Sequence, residues 1–449
     1  MSEKLFILKG KIKLESPAIV GSGQTKETDM DVITDADGRP FIPGTSFAGV
    51  LRNYASPYFD SREIEQLWGG KSQQSLLCFS DLQPSENRWA LSIREGIKIN
   101  PANQLAERGY LYDFQVMKKG SEFLFRIEAK LSRGNSQVEC LLKKVFSCFV
   151  FLMENRIRIG AKTNVGFGEI SLVDHQYYEL DLANSVHLVA WLTDDLNKVG
   201  ECKLDNCSFS KNNAEKNLYI EGTFTIRSSF IIRSYSEDPL APDATSLKSG
   251  GNFVISGTSL KGAMRGRAER ILNTLGGNQI KAQQILDNLF GTGEKKGKFQ
   301  VNEVELNNYN AEQQVRIRID RFTGGTQAEA LIEEMPVFSP RESAPEFIIK
   351  INIEDCHDYE VGLVLLLLKD LWTGDLPIGG EKAIGRGRLQ GLQAIIRYPF
   401  DSDSEEEIVI SDSFLKVKDR EENKNKLKKL DGLVKSLKRF LDTENKEEK

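Results

Sequence analysis

"FIPGTSFAGVLRN" occupies residues 41–53, and "VISGTSLKGAMRG" occupies residues 254–266. Both stretches run from apolar residues through Gly-Thr-Ser into a helical pattern, with a glycine and an arginine at matched places. Repetition of so many special residues at one spacing indicates an internally duplicated chain. A hydroxyl at such a position can accept a free amide of the first helical turn. We therefore expect a helix to begin in each copy, capped by Thr45 or Ser46 in the first and by Thr258 or Ser259 in the second.

The duplication extends on both sides of these stretches. Upstream, "LKGKIKLESPAIVGSG" (8–23) matches "IEGTFTIRSSFIIRSY" (220–235), and both alternate with the period of a strand. Downstream, each copy continues with an apolar strand, a hairpin region, a long apolar helix and a glycine-rich turn into a last strand. The order β-α-β-β-α-β is the ferredoxin-like arrangement. The predicted fold class is α+β, with two tandem ferredoxin-like (RRM-like) domains.

Domain boundaries follow from the extent of the two copies. We predict a first domain over residues 1–185, a linker over 186–214, a second domain over 215–399 and a charged tail over 400–449. The tail ends in an amphipathic helix, whose apolar stripe is typical of a helix that docks on its own protein. The stripe comprises Leu427, Leu430, Val434, Leu437 and Leu441.

Composition narrows the class of protein. The chain has 449 residues, 40% of them apolar, and a formal net charge of −5, as expected of a globular protein of two or three domains. No signal peptide is visible, and the longest apolar run, "VGLVLLLL" (361–368), is too short to cross a bilayer. These features predict a cytoplasmic protein with no membrane partner.

Two further classes of site are not supported by the residue types. The six cysteines are irregularly spaced, and Cys202 and Cys207 are their one close pair, so reduced thiols are predicted rather than a disulfide framework or a zinc site. The Walker-like stretch "GTGEKKGKF" (291–299) lacks the glycine spacing and the hydroxyl residue of a P-loop. We expect no NTP hydrolysis.

Several motifs in order resemble the RAMP superfamily, specifically the backbone subunits of type III CRISPR effector complexes. They are "GSG" (21–23), "DMDVITDADGRPFIPGTSFAGVLR" (29–52) and "IGAKTNVGFGEI" (159–170), and the second half repeats them as "DATSLKSGGNFVISGTSLKGAMR" (243–265) and "IGGEKAIGRGRL" (378–389). The resemblance covers most of residues 5–396. Two copies on one chain are similar to the fused subunits of type III-D systems.

The resemblance implies RNA as the ligand. Family members stack along a guide RNA and hold its backbone from the helix start and the glycine-rich loop, while a thumb hairpin kinks guide and target. By resemblance the thumbs lie within residues 97–120 and 316–338. The partners implied are guide (CRISPR) RNA, target RNA, other RAMP-family subunits and the large subunit of the complex. The candidate RNA-binding residues are Gly44, Thr45, Ser46, Arg52, Lys162, Gly166 and Gly168 in the first copy, and Thr258, Ser259, Lys261, Arg265, Gly379, Gly380, Lys382, Arg386 and Arg388 in the second.

The resemblance also implies one catalytic aspartate in each copy, on the loop before the helix. Asp29 matches it in the first copy, with Asp31 as the fallback, and Asp243 is the best match in the second. Each would hold a divalent metal, Mg²⁺ or Mn²⁺, beside the kinked target phosphate. The three histidines lie outside the repeated motifs, so no histidine acid/base pair is predicted.

Alternatives remain at this stage for both the residues and the function. A carboxylate on a polar loop is commonly a turn residue, a glycine-rich loop a tight turn, and a basic cluster a solvated face. For the whole chain, the prediction is an RNA-guided endoribonuclease subunit that cuts at two sites. The competing hypothesis is a structural scaffold that binds guide RNA without cutting, and a third is an unrelated two-domain RNA chaperone.

Overall fold

The structure is a computed structural model that describes residues 3–23, 28–71, 73–100, 105–132, 134–204, 209, 216–234, 240–340, 344–400, 406–411 and 421–443. The chain divides into two compact units. The first comprises Met1–Arg94, Asp113–Thr163 and Phe167–Ala214, and the second comprises Glu95–Tyr112, Asn164–Gly166 and Glu215–Lys449.

The first half of the chain contains nine strands and four α-helices among its described residues. The strands are β1 (Glu3–Leu14), β2 (Gly21–Gly23), β3 (Asp31–Val32), β4 (Leu77–Phe79), β5 (Gln83–Pro84), β6 (Leu91–Ile99), β7 (Ala106–Met117), β8 (Glu122–Ser132) and β9 (Ile170–Asp181). The helices are α1 (Gly44–Ala55), α2 (Ser61–Trp68), α3 (Ser136–Glu154) and α4 (Ser185–Leu192).

The first unit is organised by an antiparallel sheet of order β4–β8–β1–β9, with β5 paired to β8. The central strand β1 is the first of the four sheet strands β1, β4, β8 and β9 in sequence, and its neighbours β8 and β9 are the third and the fourth. This is the strand order of the ferredoxin-like fold, and the predicted fold class is confirmed. Phe6 and Leu8 of β1 pack with Phe47 of α1 and Leu142 of α3 in the main core.

The opposite face of this sheet is also covered. Leu5 and Ile7 of β1 are fully buried with Leu196, and Trp191 of α4 packs against them. Both faces of β1 are apolar because both its odd and its even residues are hydrophobic. Part of the predicted linker 186–214 therefore forms a packed layer on the first unit, which extends to Ala214. Cys202 is a free thiol in this region, and Cys207 lies outside the described residues.

The second half repeats the plan with additions. Its strands are β10 (Leu218–Ile226), β11 (Ser229–Phe230), β12 (Arg233–Ser234), β13 (Ala244–Ser246), β14 (Lys248–Ser249), β15 (Asn252–Ile255), β16 (Phe299–Val301), β17 (Val304–Leu306), β18 (Asn310–Ala311), β19 (Gln314–Ile319), β20 (Thr326–Met335), β21 (Val337–Phe338), β22 (Phe347–Ile353), β23 (Leu389–Tyr398) and β24 (Glu406–Ser411). Its helices are α5 (Gly257–Leu275), α6 (Gln279–Phe290), α7 (Asp358–Thr373) and α8 (Glu421–Asp442).

The second sheet has the order β16–β22–β10–β23–β24. Its first four strands reproduce the order of the first unit, with the first strand of the repeat, β10, between the third and the fourth. Strand β24 adds a fifth position by pairing antiparallel with β23. Because β24 lies within the predicted charged tail, part of that tail is sheet.

The tail helix α8 packs on α7. A Cβ at Gly362 of α7 would lie 2.3 Å from the carbonyl oxygen of Leu433, and the rings of Tyr359 and Phe440 stack at 3.9 Å. Leu437 and Leu441 of the predicted stripe are buried in the core of the second unit. The stripe thus docks on its own chain, and the glycine of α7 permits the close approach.

Candidate nucleic-acid interface

Asp29 lies on the loop just before β3 and is exposed. It forms a reciprocal pair with Asp113 of β7. The amide of Asp113 donates to Oδ2 of Asp29 at 3.2 Å, and the amide of Asp29 donates to Oδ1 of Asp113 at 3.1 Å. The carboxylate of Asp29 is therefore held against the return strand of the first hairpin, β6–β7.

Asp243 has the matching position in the second unit. It is exposed and precedes β13, and the amide of Glu333 in β20 donates to its Oδ2 at 3.0 Å. Strand β20 is the return strand of the second hairpin, β19–β20. The same relation in both repeats, between a loop carboxylate and an amide of the return strand, makes Asp29 and Asp243 structural equivalents. Their catalytic role stays a prediction.

The fallback residue Asp31 is placed differently. It is buried, and the hydroxyl of Thr28 donates to its Oδ1. It lies in β3, which pairs with β2. The exposed carboxylate on this loop that the structure aligns with Asp243 is thus that of Asp29, two residues earlier.

Asp113 is a hydrogen-bond partner of Asp29 that the sequence did not identify. The signal in "YLYDFQV" (110–116) is an acid among aromatic and apolar residues on a strand, but it gains meaning only when the hairpin places it beside Asp29. Two carboxylates held close together favour a cation, and Mg²⁺ commonly takes one or two carboxylates and completes its shell with water and phosphate. Asp29 and Asp113 are ligands of this type, and the metal stays a prediction. Among the described residues, no group of three or more His, Cys, Asp or Glu side chains has the geometry of a metal site.

The helix starts contradict the predicted caps. Helix α1 begins at Gly44 with Pro43 as its N-cap, and α5 begins at Gly257 with Ser256 as its N-cap, whose side chain accepts from the amide of Ser259 at 3.3 Å. The predicted capping by Thr45 or Ser46 and by Thr258 or Ser259 is wrong because each helix starts earlier, which puts these residues inside the first turn.

Two of these hydroxyls are engaged with the N-cap of α5, since that of Thr258 donates to Oγ of Ser256 at 3.1 Å and that of Ser259 accepts from it at 2.9 Å. Thr45 and Thr258 are exposed on the first turns, and Ser46 and Ser259 are half-buried. The first amide of α1 is already used, since the amide of Gly44 donates to Oδ1 of Asp81 at 2.7 Å.

The basic residues predicted to contact RNA are of two kinds: some are exposed, and others are hydrogen-bonded within the protein. Arg52 and Arg388 are exposed. Arg265 donates through Nη1 to the carbonyl of Gly291 at 2.8 Å. Lys261 is buried and donates to the carbonyl of Phe299 at 2.8 Å, and burial, helped by Lys296 and Arg265, lowers its pKa to about 8. Lys261 thus ties α5 to β16, and its contact with RNA stays a prediction.

The glycine-rich loops have the same backbone geometry in both repeats. A Cβ at Gly168 would lie 1.8 Å from the carbonyl oxygen of Ile159, and one at Gly387 would lie 1.9 Å from that of Ile378. Both glycines have positive φ angles, 78° and 77°. A Cβ at Gly160 would lie 2.1 Å from the carbonyl oxygen of Ile19, and one at Gly379 would lie 2.4 Å from that of Ile231. Backbone packing accounts for these four glycines without a phosphate.

The remaining loop residues differ in their surroundings. Gly166 is buried, Gly380 is half-buried with ordinary contacts, and Gly385 has a φ of 89° and open space where a Cβ would be. Burial lowers the pKa of Lys382.

The ring of Phe114 contacts Lys162 in the loop of the first repeat. Its Nζ lies 3.6 Å from the ring centroid of Phe114, and burial lowers its pKa to about 8. Phe114 packs edge-on against Phe167 at 6.0 Å, and the guanidinium of the buried Arg94 lies 5.5 Å from the ring of Phe167. Lys162 is therefore engaged with the return strand β7.

In the second repeat the corresponding loop is held by ion pairs and hydrogen bonds between side chains. Arg386 is buried, and its Nε lies 2.7 Å from Oε2 of Glu381. Its Nη2 donates to Oε1 of Gln314 in β19 at 2.6 Å. Burial lowers the pKa of Arg386. A buried arginine with these partners supports the loop from within, and its predicted contact with RNA stays untested.

Comparison with known proteins identifies the family. The sequence model of the RAMP superfamily matches residues 11–171 and 223–390. The chain belongs to the RAMP superfamily. The two matches coincide with the two repeats, so each ferredoxin-like domain is a RAMP domain.

Other comparisons add less about this RAMP protein. A chain from the cryo-EM structure of the type III-B Cmr-beta bound to cognate target RNA is similar to it, with 13% sequence identity and a TM-score of 0.31. That similarity covers 38% of this chain and 96% of the other. No curated protein matches the sequence. None of the described helices is both long and apolar enough to cross a membrane.

Proposed function

We propose that this RAMP protein is a backbone subunit of a type III CRISPR effector complex, III-D-like in its fusion, that binds guide RNA and cleaves complementary target RNA at two sites. The observation that carries the proposal is the repeated placement of Asp29 and Asp243. Each is an exposed carboxylate held by an amide of the hairpin return strand. A chain with two such sites would occupy two successive positions along the guide and contact other RAMP subunits and the large subunit.

The chemistry assigned to these residues is positioning and charge neutralisation. In the first repeat Asp29 and Asp113 would hold a divalent metal, Mg²⁺ or Mn²⁺, and in the second Asp243 would do so. Such an ion, when bound, stabilises negative charge on a phosphate. The aspartate itself orients the attacking group, the adjacent 2′-hydroxyl of the RNA. The hydrogen bond from the hairpin fixes the carboxylate where the hairpin meets the target.

The competing function is a guide-RNA scaffold without cleavage. What favours it is that the same hydrogen bonds from Asp113 and Glu333 would give the two aspartates a structural role in anchoring the hairpins. The two functions differ in whether target RNA is cut.

We expect the assembled complex to cut complementary RNA at two places owed to this chain, and to stop cutting when EDTA removes divalent metal. The guide should remain bound, because its contacts are to phosphates through arginine and backbone. Denaturing gels of labelled target and guide, run with and without EDTA and after return of Mg²⁺, measure both. If both cuts persist in EDTA, cleavage does not depend on a divalent metal. If the target stays uncut in Mg²⁺, the chain is a guide-RNA scaffold.

Reversing the charge of the exposed Arg52 and Arg388 is expected to weaken binding of single-stranded RNA by about 10-fold or more at low salt. Each lost phosphate contact should also reduce the slope of log K against log salt by about 0.7. The matched control reverses two exposed arginines outside the candidate interface, Arg62→Glu with Arg439→Glu. If the control weakens binding equally, net charge rather than these side chains governs affinity.

A further inference from the structure

We infer that the return strand of each hairpin connects the catalytic aspartate to the glycine-rich loop through two consecutive residues. We call this connection the joint, and the two repeats form it with different types of contact. Phe114 in the first repeat and Glu334 in the second are the positioning residues. The inference rests on the proposed function for its catalytic readout, and its structural readout is independent of it.

The joint has the same layout in both repeats. The amide of Asp113 binds Asp29, and the next residue, Phe114, packs on the loop residues Lys162 and Phe167. In the second repeat the amide of Glu333 binds Asp243, and the next residue is Glu334. The strand contacts the aspartate through a backbone amide and the loop through the side chain of the next residue, so one strand serves two neighbours at once.

The loop positions that receive these side chains also match. Lys162 and Glu381 both follow the first glycines of their loops and both have a φ of 55°, a left-handed conformation that is uncommon for such residues. Phe167 and Arg386 both stand between two glycines, in "GFG" and "GRG". At equivalent backbone positions a cation and an aromatic ring are thus replaced by an anion and a cation.

The first repeat joins strand and loop by aromatic and cation–π contacts. The Lys162 ammonium lies over Phe114, the Phe114 ring meets the edge of Phe167, and the Arg94 guanidinium lies over Phe167. Such contacts tolerate small shifts, because ring faces attract a cation over a range of positions.

The second repeat uses a network of ions around Glu334, which is fully buried. Glu334 accepts from Nη2 of Arg233 at 2.7 Å and from Arg316, and Arg316 also donates to Glu381 of the loop. Glu381 in turn pairs with Arg386. The hydrogen bonds and charges of this network hold the pKa of Glu334 below its usual value despite its burial. Three arginines and two glutamates therefore connect β12, β19, β20 and the loop.

The two joints should respond differently to substitution. Glu334 is the fully buried carboxylate that Arg233 and Arg316 share, and the side chains of these two arginines are 47% and 33% exposed. Removing the charge of Glu334 therefore takes away the ionic link between them and lets both arginines turn towards solvent. Strand β20 then loses its ion pairs to β12 and β19, and we expect it to shift relative to the loop and to displace the Glu333 amide from Asp243. The first repeat contains no corresponding buried carboxylate at Phe114 and is unaffected by that change.

The test uses the assembled complex with Glu334→Gln, which is isosteric with glutamate, and Phe114→Leu, which keeps an apolar side chain but removes the ring. Glu334→Gln should reduce the second cut at least 10-fold and leave the first, and Phe114→Leu should reduce the first cut and leave the second. Guide occupancy should stay unchanged in both. The matched control is Glu312→Gln, an exposed carboxylate beside the same hairpin. Hydrogen exchange of the peptide that contains the Glu333 amide should accelerate at least 10-fold in Glu334→Gln and not in the control.

Replacing the ionic contacts of the second repeat with the aromatic contacts of the first distinguishes a residue that positions the aspartate from one that only stabilises the fold. Glu334→Phe alone should abolish the second cut, and adding Glu381→Lys with Arg386→Phe, which copies the first repeat, should restore it. Unchanged exchange at Glu333 together with an unchanged second cut in Glu334→Gln overturns the inference, as does loss of guide occupancy along with the cut. If the wild-type complex cuts nothing, the proposed function fails, and the exchange measurement still decides whether the joint exists.

Discussion

Replacing Asp29 with alanine is expected to remove one of the two cuts in target RNA, with a loss of at least about 100-fold at that position. The carboxylate is exposed and fixed by the amide of Asp113, so its removal takes away a positioned group without emptying the core. Target affinity should be preserved, because deleting a negative charge beside a phosphate does not weaken electrostatic binding. The equivalent Asp243→Ala should remove the neighbouring cut.

Two controls make the Asp29 result specific. Asp37→Ala removes a highly exposed carboxylate from the same loop, one that pairs only with the exposed Arg39 among the ion pairs described, and such surface pairs contribute about 0–1 kcal/mol. It should leave both cuts in place. Asp31→Ala tests the fallback position. If Asp31→Ala removes a cut and Asp29→Ala does not, the acid lies two residues later than proposed, and if neither variant matters the chain is a scaffold.

Much of the fold was predictable because it depends on patterns within single segments. The alternation around Phe6 and Leu8 predicts β1, and the continuous apolar run near Leu367 predicts a buried helix. The repetition of both patterns predicts two ferredoxin-like domains. The layer formed by Trp191 was not predicted. The apolar residues on the second face of β1 have the same pattern whether a helix of this chain or another protein covers them.

The site was predictable only in part, for a physical reason. Asp29 and Asp243 are found from the local motif, but their partners Asp113 and Glu333 lie 84 and 90 residues away in sequence. Nothing in the residues around an acid on a strand says which loop it will meet. The predicted helix starts were wrong for a local reason, since the N-caps Pro43 and Ser256 lie two or three residues before the hydroxyl residues that the sequence suggested.

Glycine substitutions in the second loop should separate backbone packing from phosphate binding. Gly387 and Gly385 both have positive φ angles, 77° and 89°, so alanine at either position costs about 1–2 kcal/mol for the left-handed conformation. Only at Gly387 would the added Cβ also meet backbone, at 1.9 Å from Ile378 O. We therefore expect Gly387→Ala to lower the free energy of unfolding by ~3 kcal/mol more than Gly385→Ala does. Urea unfolding followed by hydrogen exchange across residues 378–389 measures the difference.

The open position at Gly385 then tests the loop's function without a packing penalty. If the loop binds phosphate through its amides, a methyl group there obstructs the approach of RNA, and Gly385→Ala should weaken guide binding while the exchange pattern elsewhere stays native. Unchanged binding would mean that this glycine serves only the turn. Equal stability of the two variants would show instead that the loop can shift away from Ile378. In that case close packing would no longer explain why Gly387, and its counterpart Gly168 with its Cβ position 1.8 Å from Ile159 O, are glycines.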